Sequence, residues 1–118
     1  MNSSDLIDTF VGELRIGNYV FHDDAVLRLN EKNLELAYSK QSHQVEGIRL
    51  NVNWLENFGF LYHTNKENVP VFFLKGIKLE LKESSVELFF QNQPVKKIRL
   101  VHELQNLYHA LTGDELTA

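Results

Sequence analysis

Few residues in this chain have the type and spacing to do chemistry. His22-Asp23-Asp24 places one imidazole beside two carboxylates, a donor set suited to a divalent metal. Adjacent residues diverge in a strand or turn, however, and a metal needs ligands converging from several segments, so a polar turn is the reading that fits. His102 and His109 lie seven apart with Asn106 between them, which puts all three on one side of a helix. At a rise of 1.5 Å per residue the two imidazoles stand about 10 Å apart along the axis, too far to chelate one ion. That stripe is instead expected to be exposed, open to a partner. No serine sits in a Gly-x-Ser-x-Gly elbow, and no glycine-rich loop leads into a helix as a phosphate cradle requires. With no cysteine in the chain, disulfides, thiolate zinc sites and thiol catalysis are excluded together. The residues favour a protein that is not an enzyme and carries no cofactor and no metal.

The elements that must position these residues follow from hydrophobic period. In the stretch Val101 to Gly113, the residues Val101, Leu104, Leu107, Tyr108 and Leu111 fall within an arc of roughly 120° at 100° per residue. They predict an amphipathic C-terminal helix over 101–112, stopped by Gly113 in a left-handed conformation and followed by a polar tail. His102, Asn106 and His109 are centred almost opposite this arc. A shorter helix is expected over 51–59, with Asn51 as N-cap, Trp54, Leu55 and Phe58 on one side, and Gly59 as its stop.

The remainder reads as short strands. Leu14 to Phe21, Ala25 to Leu29, Leu34 to Tyr38 and Val45 to Leu50 occupy the region 14–50, with turns at His22-Asp23-Asp24 and Asn30-Glu31-Lys32-Asn33. Between 60 and 100, Val69 to Leu74 is apolar on both faces, which implies a strand covered twice or one aromatic patch left outside. Ile77, Leu79 and Leu81 alternate with Lys78, Glu80 and Lys82, and Val86, Leu88 and Phe90 repeat the pattern, as in a meander. Asn92-Gln93-Pro94 breaks it before Val95 to Leu100 crosses back. Residues 1–12 form an N-terminal extension in which Asp5 to Val11 can make a helical turn or two. The expected fold class is therefore α+β: a single domain, 1–118, of about six to seven short strands in a mainly antiparallel meander sheet, with a short central helix and the C-terminal amphipathic helix packed on the sheet.

Charge restricts the partners. The net charge is −4 over 118 residues, which disfavours a dedicated binder of nucleic-acid backbones. Its distribution is uneven: Lys75, Lys78, Lys82, Lys96, Lys97 and Arg99 face only Glu80, Glu83 and Glu87, so residues 75–99 are locally basic. Solvated strand faces account for most such runs, while a contact with RNA or an acidic protein is the functional alternative. No basic start or apolar run of a signal segment is visible, and no stretch of about eighteen apolar residues. A cytoplasmic protein with no membrane contact is expected.

Leu14-Arg15-Ile16-Gly17-Asn18, then Trp54-Leu55 through Phe58-Gly59-Phe60, and above all Val101-His102-Glu103-Leu104-Gln105-Asn106-Leu107-Tyr108 with Ala110-Leu111-Thr112-Gly113 resemble a family of small uncharacterised proteins of phages, prophages and mobile elements of Bacteroidetes bacteria. The pieces frame most of the chain from about residue 13, and the C-terminal signature is the specific part. His109 stands where the family often has an aromatic, and the N-terminal dozen residues are extra. The resemblance implies an accessory gene on a mobile element and carries over no catalytic residue. It leads to the expectation of an inhibitor of host defence, such as an anti-CRISPR protein that binds an RNA-guided nuclease, as monomer or small oligomer. Its expected partner surface is His102, Asn106 and His109, together with Lys75, Lys78, Lys82, Lys96, Lys97 and Arg99 near guide RNA or its channel. The alternatives are a phage assembly component or small regulator that oligomerises through aromatics such as Phe72 or Phe89, and an RNA-binding module using the basic strands.

Overall fold

The computed structural model describes residues 14–34, 45–64 and 67–118. The architecture is α+β, with one antiparallel sheet of three strands, one of five, and a C-terminal helix. Contacts within the chain fall into two compact units, residues 1–48 and 49–118. The turns predicted over Asp5 to Val11 lie outside the described residues.

In the first unit β1 (Tyr19–His22) pairs with β2 (Ala25–Arg28) on one side and with β3 (Val45–Glu46) on the other. The β1–β2 hairpin closes on Asp23 and Asp24, whose φ angles of 51° and 64° make the two-residue turn whose twist matches that of the strands. The strand expected from Leu14 begins only at Tyr19. Its first part is a turn instead, because Asn18 Oδ1 accepts the Arg15 N–H at 2.8 Å and the Asn18 N–H donates back to the Arg15 carbonyl at 3.1 Å. Buried Asn18 then accepts the Leu29 N–H, so the polar turn seals the open end of the hairpin. A second departure occurs at Leu34. Its N–H donates to the Asn30 carbonyl, a helical bond, and Asn30 Oδ1 accepts from Lys32 and Asn33 as a cap would. The strand expected over Leu34 to Tyr38 is therefore helical at its first residue, and Glu35 to Tyr38 lie outside the described residues. Leu14, Val20, Leu29 and Val45 form the core here, with Leu27 and Leu34 packed against it.

The second unit opens with helix α1 (Val52–Asn57), capped by Asn51 Oδ1 on the Trp54 N–H at 3.0 Å. Leu55 and Phe58 are buried, while Trp54 is half-buried with its ring 5.6 Å from that of Phe58. Five strands follow in sequence order as an antiparallel meander: β4 (Leu61–Thr64), β5 (Pro70–Leu74), β6 (Ile77–Leu81), β7 (Val86–Phe90) and β8 (Gln93–Ile98). Lys75-Gly76 and Gln91-Asn92, all at positive φ, are two-residue turns of the kind that fixes register in hairpins. Gln93 and Pro94 belong to β8 rather than breaking the sheet before it. Proline is tolerated there because β8 is an edge strand and the ladder slips by one residue beside it, between Leu88 and Phe89.

Registered pairs Phe72↔Leu79, Leu79↔Leu88 and Val86↔Ile98 share one face of this sheet, which is buried. Helix α2 (Val101–Thr112) covers that face, with the Tyr108 ring edge-on to Phe60 at 6.4 Å. At its start Glu103 Oε1 reaches back to the N–H groups of Arg99 and Leu100 at 3.2 and 3.0 Å, supplying the carboxylate half of a capping box. At its end Gly113 adopts φ 81° and donates to the His109 carbonyl at 2.8 Å. The polar tail folds back: Leu116 is buried and its carbonyl accepts from Gln105 Nε2 at 3.2 Å.

Nothing lies within 4 Å of where a Cβ on Gly113 would stand, so a substitution there costs only backbone strain. Gly113→Ala is expected to lower unfolding free energy by about 1 kcal/mol and Gly113→Asn by less, measured by urea denaturation.

Candidate functional site

Pleating sends every second residue of the meander to the face opposite α2. There Leu61 and His63 of β4, Val71 and Phe73 of β5, Lys78 and Glu80 of β6, and Glu87 and Phe89 of β7 stand side by side. A groove of about 510 Å³ opens on it, lined among the described residues by His63, Thr64, Val71, Phe73, Lys78 and Glu80. Val71 is its apolar floor, and the His63 ring sits edge-on to Phe73 at 5.6 Å. Charge closes the other side. Glu80 lies 3.6 Å from Lys78 Nζ and 3.4 Å from Lys82 Nζ, and Lys78 Nζ also stands 4.3 Å above the Phe89 ring.

The edge beside this groove is open. All four residues of β4 are exposed, Leu61 at 69% and Tyr62 at 56%, and Phe73 next to Leu61 is 41% exposed. The tight Lys75-Gly76 turn makes Leu74 and Ile77 a hydrogen-bonded pair, and alternation along β5 then aims Val71 and Phe73 at β4. Their partners His63 and Leu61 bond inward, so the N–H and C=O of Tyr62 point away from the sheet at its free edge. Tyr62 itself is braced by its hydroxyl, 3.0 Å from Thr64 Oγ1, and by its ring against Phe72 at 5.3 Å.

The residues expected to meet a partner do not form one surface. His102, placed by its spacing on the exposed side of α2, is 0% exposed, whereas Asn106 is half-buried and His109 is exposed, 3.8 Å from Glu115. The buried arc of the helix is Val101, His102, Leu104, Gln105 and Tyr108, turned roughly 80° from the apolar arc toward His102. Leu107 and Leu111 are only half-buried, because the returning tail covers the Gln105 side instead. The basic residues are dispersed as well. Lys75 occupies a turn at one end of the sheet and Lys82 the other end of β6, roughly 20 Å away along a strand. Lys96 and Lys97 are exposed on the edge strand β8, Lys97 opposite Glu87, and Arg99 follows that strand. Phe72, expected as an exposed aromatic, is fully buried, Phe89 is half-buried under Lys78, and the exposed ring is Phe73. Leu61, Tyr62 and Phe73 were not singled out by sequence. The apolar run on both sides of β5 was the one available signal, since period two places only one of Phe72 and Phe73 inside.

No known family model, curated protein or solved structure matches this chain. Geometry therefore has to carry the functional reading. Among the described residues no three His, Asp or Glu side chains are grouped to hold a metal ion, and no helix is long and apolar enough to cross a membrane.

Two measurements test these placements. His102→Ala should cost about 2 kcal/mol of stability, as removal of a fully buried polar ring does, and His109→Ala less than about 0.5 kcal/mol, both by denaturant titration. Lys75 Nζ donates to Asp114 Oδ2 at 2.9 Å, and this hydrogen bond, with the aspartate charge, raises the lysine above its usual 10.5. A raised lysine pKa stabilises the fold at lower pH and loses its contribution as pH climbs through the folded value. The small melting-temperature gap between the wild type and Asp114→Asn should accordingly persist at neutral pH and vanish above pH 10.5.

Proposed function

We propose that this chain acts without catalysis, by binding another protein through the free edge of β4 and the groove beside it. The carrying observation is the contrast between the two edges of one sheet. Edge strands are ordinarily blunted by lysine, proline or a bulge, which stop them pairing with another chain. Strand β8 has all three in Lys96 and Lys97, Pro94, and the slip beside Leu88. Strand β4 has none, and it exposes leucine and tyrosine with no formal charge along its length.

Such an edge suits β-augmentation, in which an extended segment of a partner adds as a further strand. The outward backbone groups of Tyr62 would supply main-chain hydrogen bonds. Leu61 and Phe73 would bury apolar surface, and the Glu80 carboxylate and Lys78 ammonium at the groove wall would select polar side chains of the incoming strand. Joined to the resemblance to small accessory proteins of phages and mobile elements, this supports an inhibitor of host defence, of the anti-CRISPR kind, that occupies an RNA-guided nuclease. The same exposed edge favours one second reading, a regulator or assembly component in which β4 pairs with its copy around a two-fold axis.

Purified protein mixed with the RNA-guided nucleases of candidate hosts should form a stable complex and abolish cleavage. Leu61→Lys should weaken that complex at least about ten-fold while changing stability by no more than about 0.5 kcal/mol, since the site is exposed. Failure to bind or block any host defence nuclease removes the inhibitor reading. A dimer mass in solution that Leu61→Lys converts to monomer establishes self-pairing in its place.

A further inference from the structure

At the end of the sheet remote from Lys75, three segments converge on a small depression of about 70 Å³. Arg49 comes from the stretch before α1, Lys82, Ser84 and Ser85 from the loop between β6 and β7, and Arg99 from the junction of β8 with α2. Each segment is pinned by its backbone. Arg49 makes an antiparallel bridge with Leu100, the Leu50 N–H donates to the Arg99 carbonyl at 2.9 Å, and the Lys82 N–H donates to the Ser85 carbonyl at 2.9 Å. The segments that carry the cationic residues are therefore brought together by the framework.

Arg49 and Arg99 differ electrostatically from the lysines of the meander that carry ion pairs. Lys75 is paired with Asp114, and Lys78 and Lys82 share Glu80. No carboxylate among the described residues lies within ion-pair reach of the Arg49 or Arg99 guanidinium. Counting Glu83, which also lines the depression, and Glu80, which pairs with Lys82, three cations stand against two carboxylates, a net +1. Two guanidinium forks and two serine hydroxyls then point to a ligand with several acceptor oxygens around one centre. The N–H groups of Arg99 and Leu100, which a helix start would otherwise offer to an anion, are already taken by Glu103. Recognition here has to come from side chains.

We infer that Arg49 and Arg99, with Lys82, Ser84 and Ser85, form a binding site for a phosphate group. A depression of about 70 Å³ has room for one small tetrahedral oxyanion. Arginine forks favour such an oxyanion over a neutral ligand because two parallel N–H donors match two of its oxygens. The site is separate from the β4 edge and stands whether or not that edge binds a protein. Its phosphate can belong to a free phosphate or small phosphoester, or to the diester backbone of a nucleic acid.

The full chain, labelled with 15N, is titrated with inorganic phosphate at constant ionic strength, and in parallel with a single-stranded RNA oligonucleotide followed by fluorescence anisotropy. Saturable shifts of the Ser84 and Ser85 amides with phosphate are expected. Arg49→Ala and Arg99→Ala should each weaken binding about ten-fold, the loss of one charge-assisted contact, and Arg99→Lys should restore only part of it because the fork is gone. Lys96→Ala should leave binding unchanged. If RNA binds and each arginine variant lowers its salt slope by roughly 1, the phosphate is that of a nucleic acid; shifts with phosphate and no RNA binding assign a free phosphate or phosphoester. No amide shifts with phosphate together with no anisotropy change with RNA, or an Arg49→Ala/Arg99→Ala double variant that binds like the wild type while remaining folded by its spectrum, overturns the proposal.

Discussion

The constraint on which the second unit rests is that one face of the meander must be covered, and a single helix does most of the covering. Phe72, Ile77, Leu79, Leu88 and Ile98 are withdrawn from water on that face, and burial of each such side chain is worth about 1.5–3 kcal/mol. Helix α2 can hold them only if its own ends are fixed. Glu103 satisfies the N–H groups at its start, Gly113 turns the chain at its end, and Gln105 ties the returning tail at Leu116. The tail covers the Gln105 side of the helix, His102 lies inside, and Leu107 and Leu111 are left half in water.

The opposite face is only partly exposed, and there the pattern of residues separates two kinds of surface. Toward β4 it is apolar and aromatic, with Leu61 and Phe73. Toward β7 and β8 it is an alternating field of charge in which Glu80 and Glu87 lie directly across from one another. Like charges opposite each other on a sheet repel, and Lys78, Lys82 and Lys97 around the pair offset that cost. Three of the six basic residues between 75 and 99 thus stand against carboxylates of the sheet itself.

What remains after that local pairing is small and well placed. Arg49 and Arg99 carry charge that the sheet does not use, and the edge of β4 carries backbone groups that the sheet does not pair. A net charge of −4 over the chain disfavours extended contact with a nucleic-acid backbone but not a local site, because a partner meets a local arrangement as well as the sum. Function in a fold of this kind resides in sites rather than in architecture.

The features determined by sequence alone are those set within a few residues of the chain. Period two made β6 and β7, Asn51 and Gly59 bounded α1, Gly113 ended α2, and Asp23-Asp24 closed a hairpin, each through backbone preferences that need no distant partner. Local reading failed where a side chain found a bond that spacing does not encode. Asn18 bent a predicted strand into a turn, Pro94 was accepted into a strand because that strand lies at an edge, and the tail that Gln105 bonds at Leu116 covers the Gln105 side of α2. The candidate sites belong to this second class. Arg49 lies fifty residues from Arg99 and is joined to its neighbourhood only by a bridge to Leu100. The openness of β4 exists only because the strand order places it at the margin. Sequence specifies local geometry because propensities and caps act over one or two turns, whereas exposure, edges and convergence are properties of the assembled sheet, which only the tertiary structure decides.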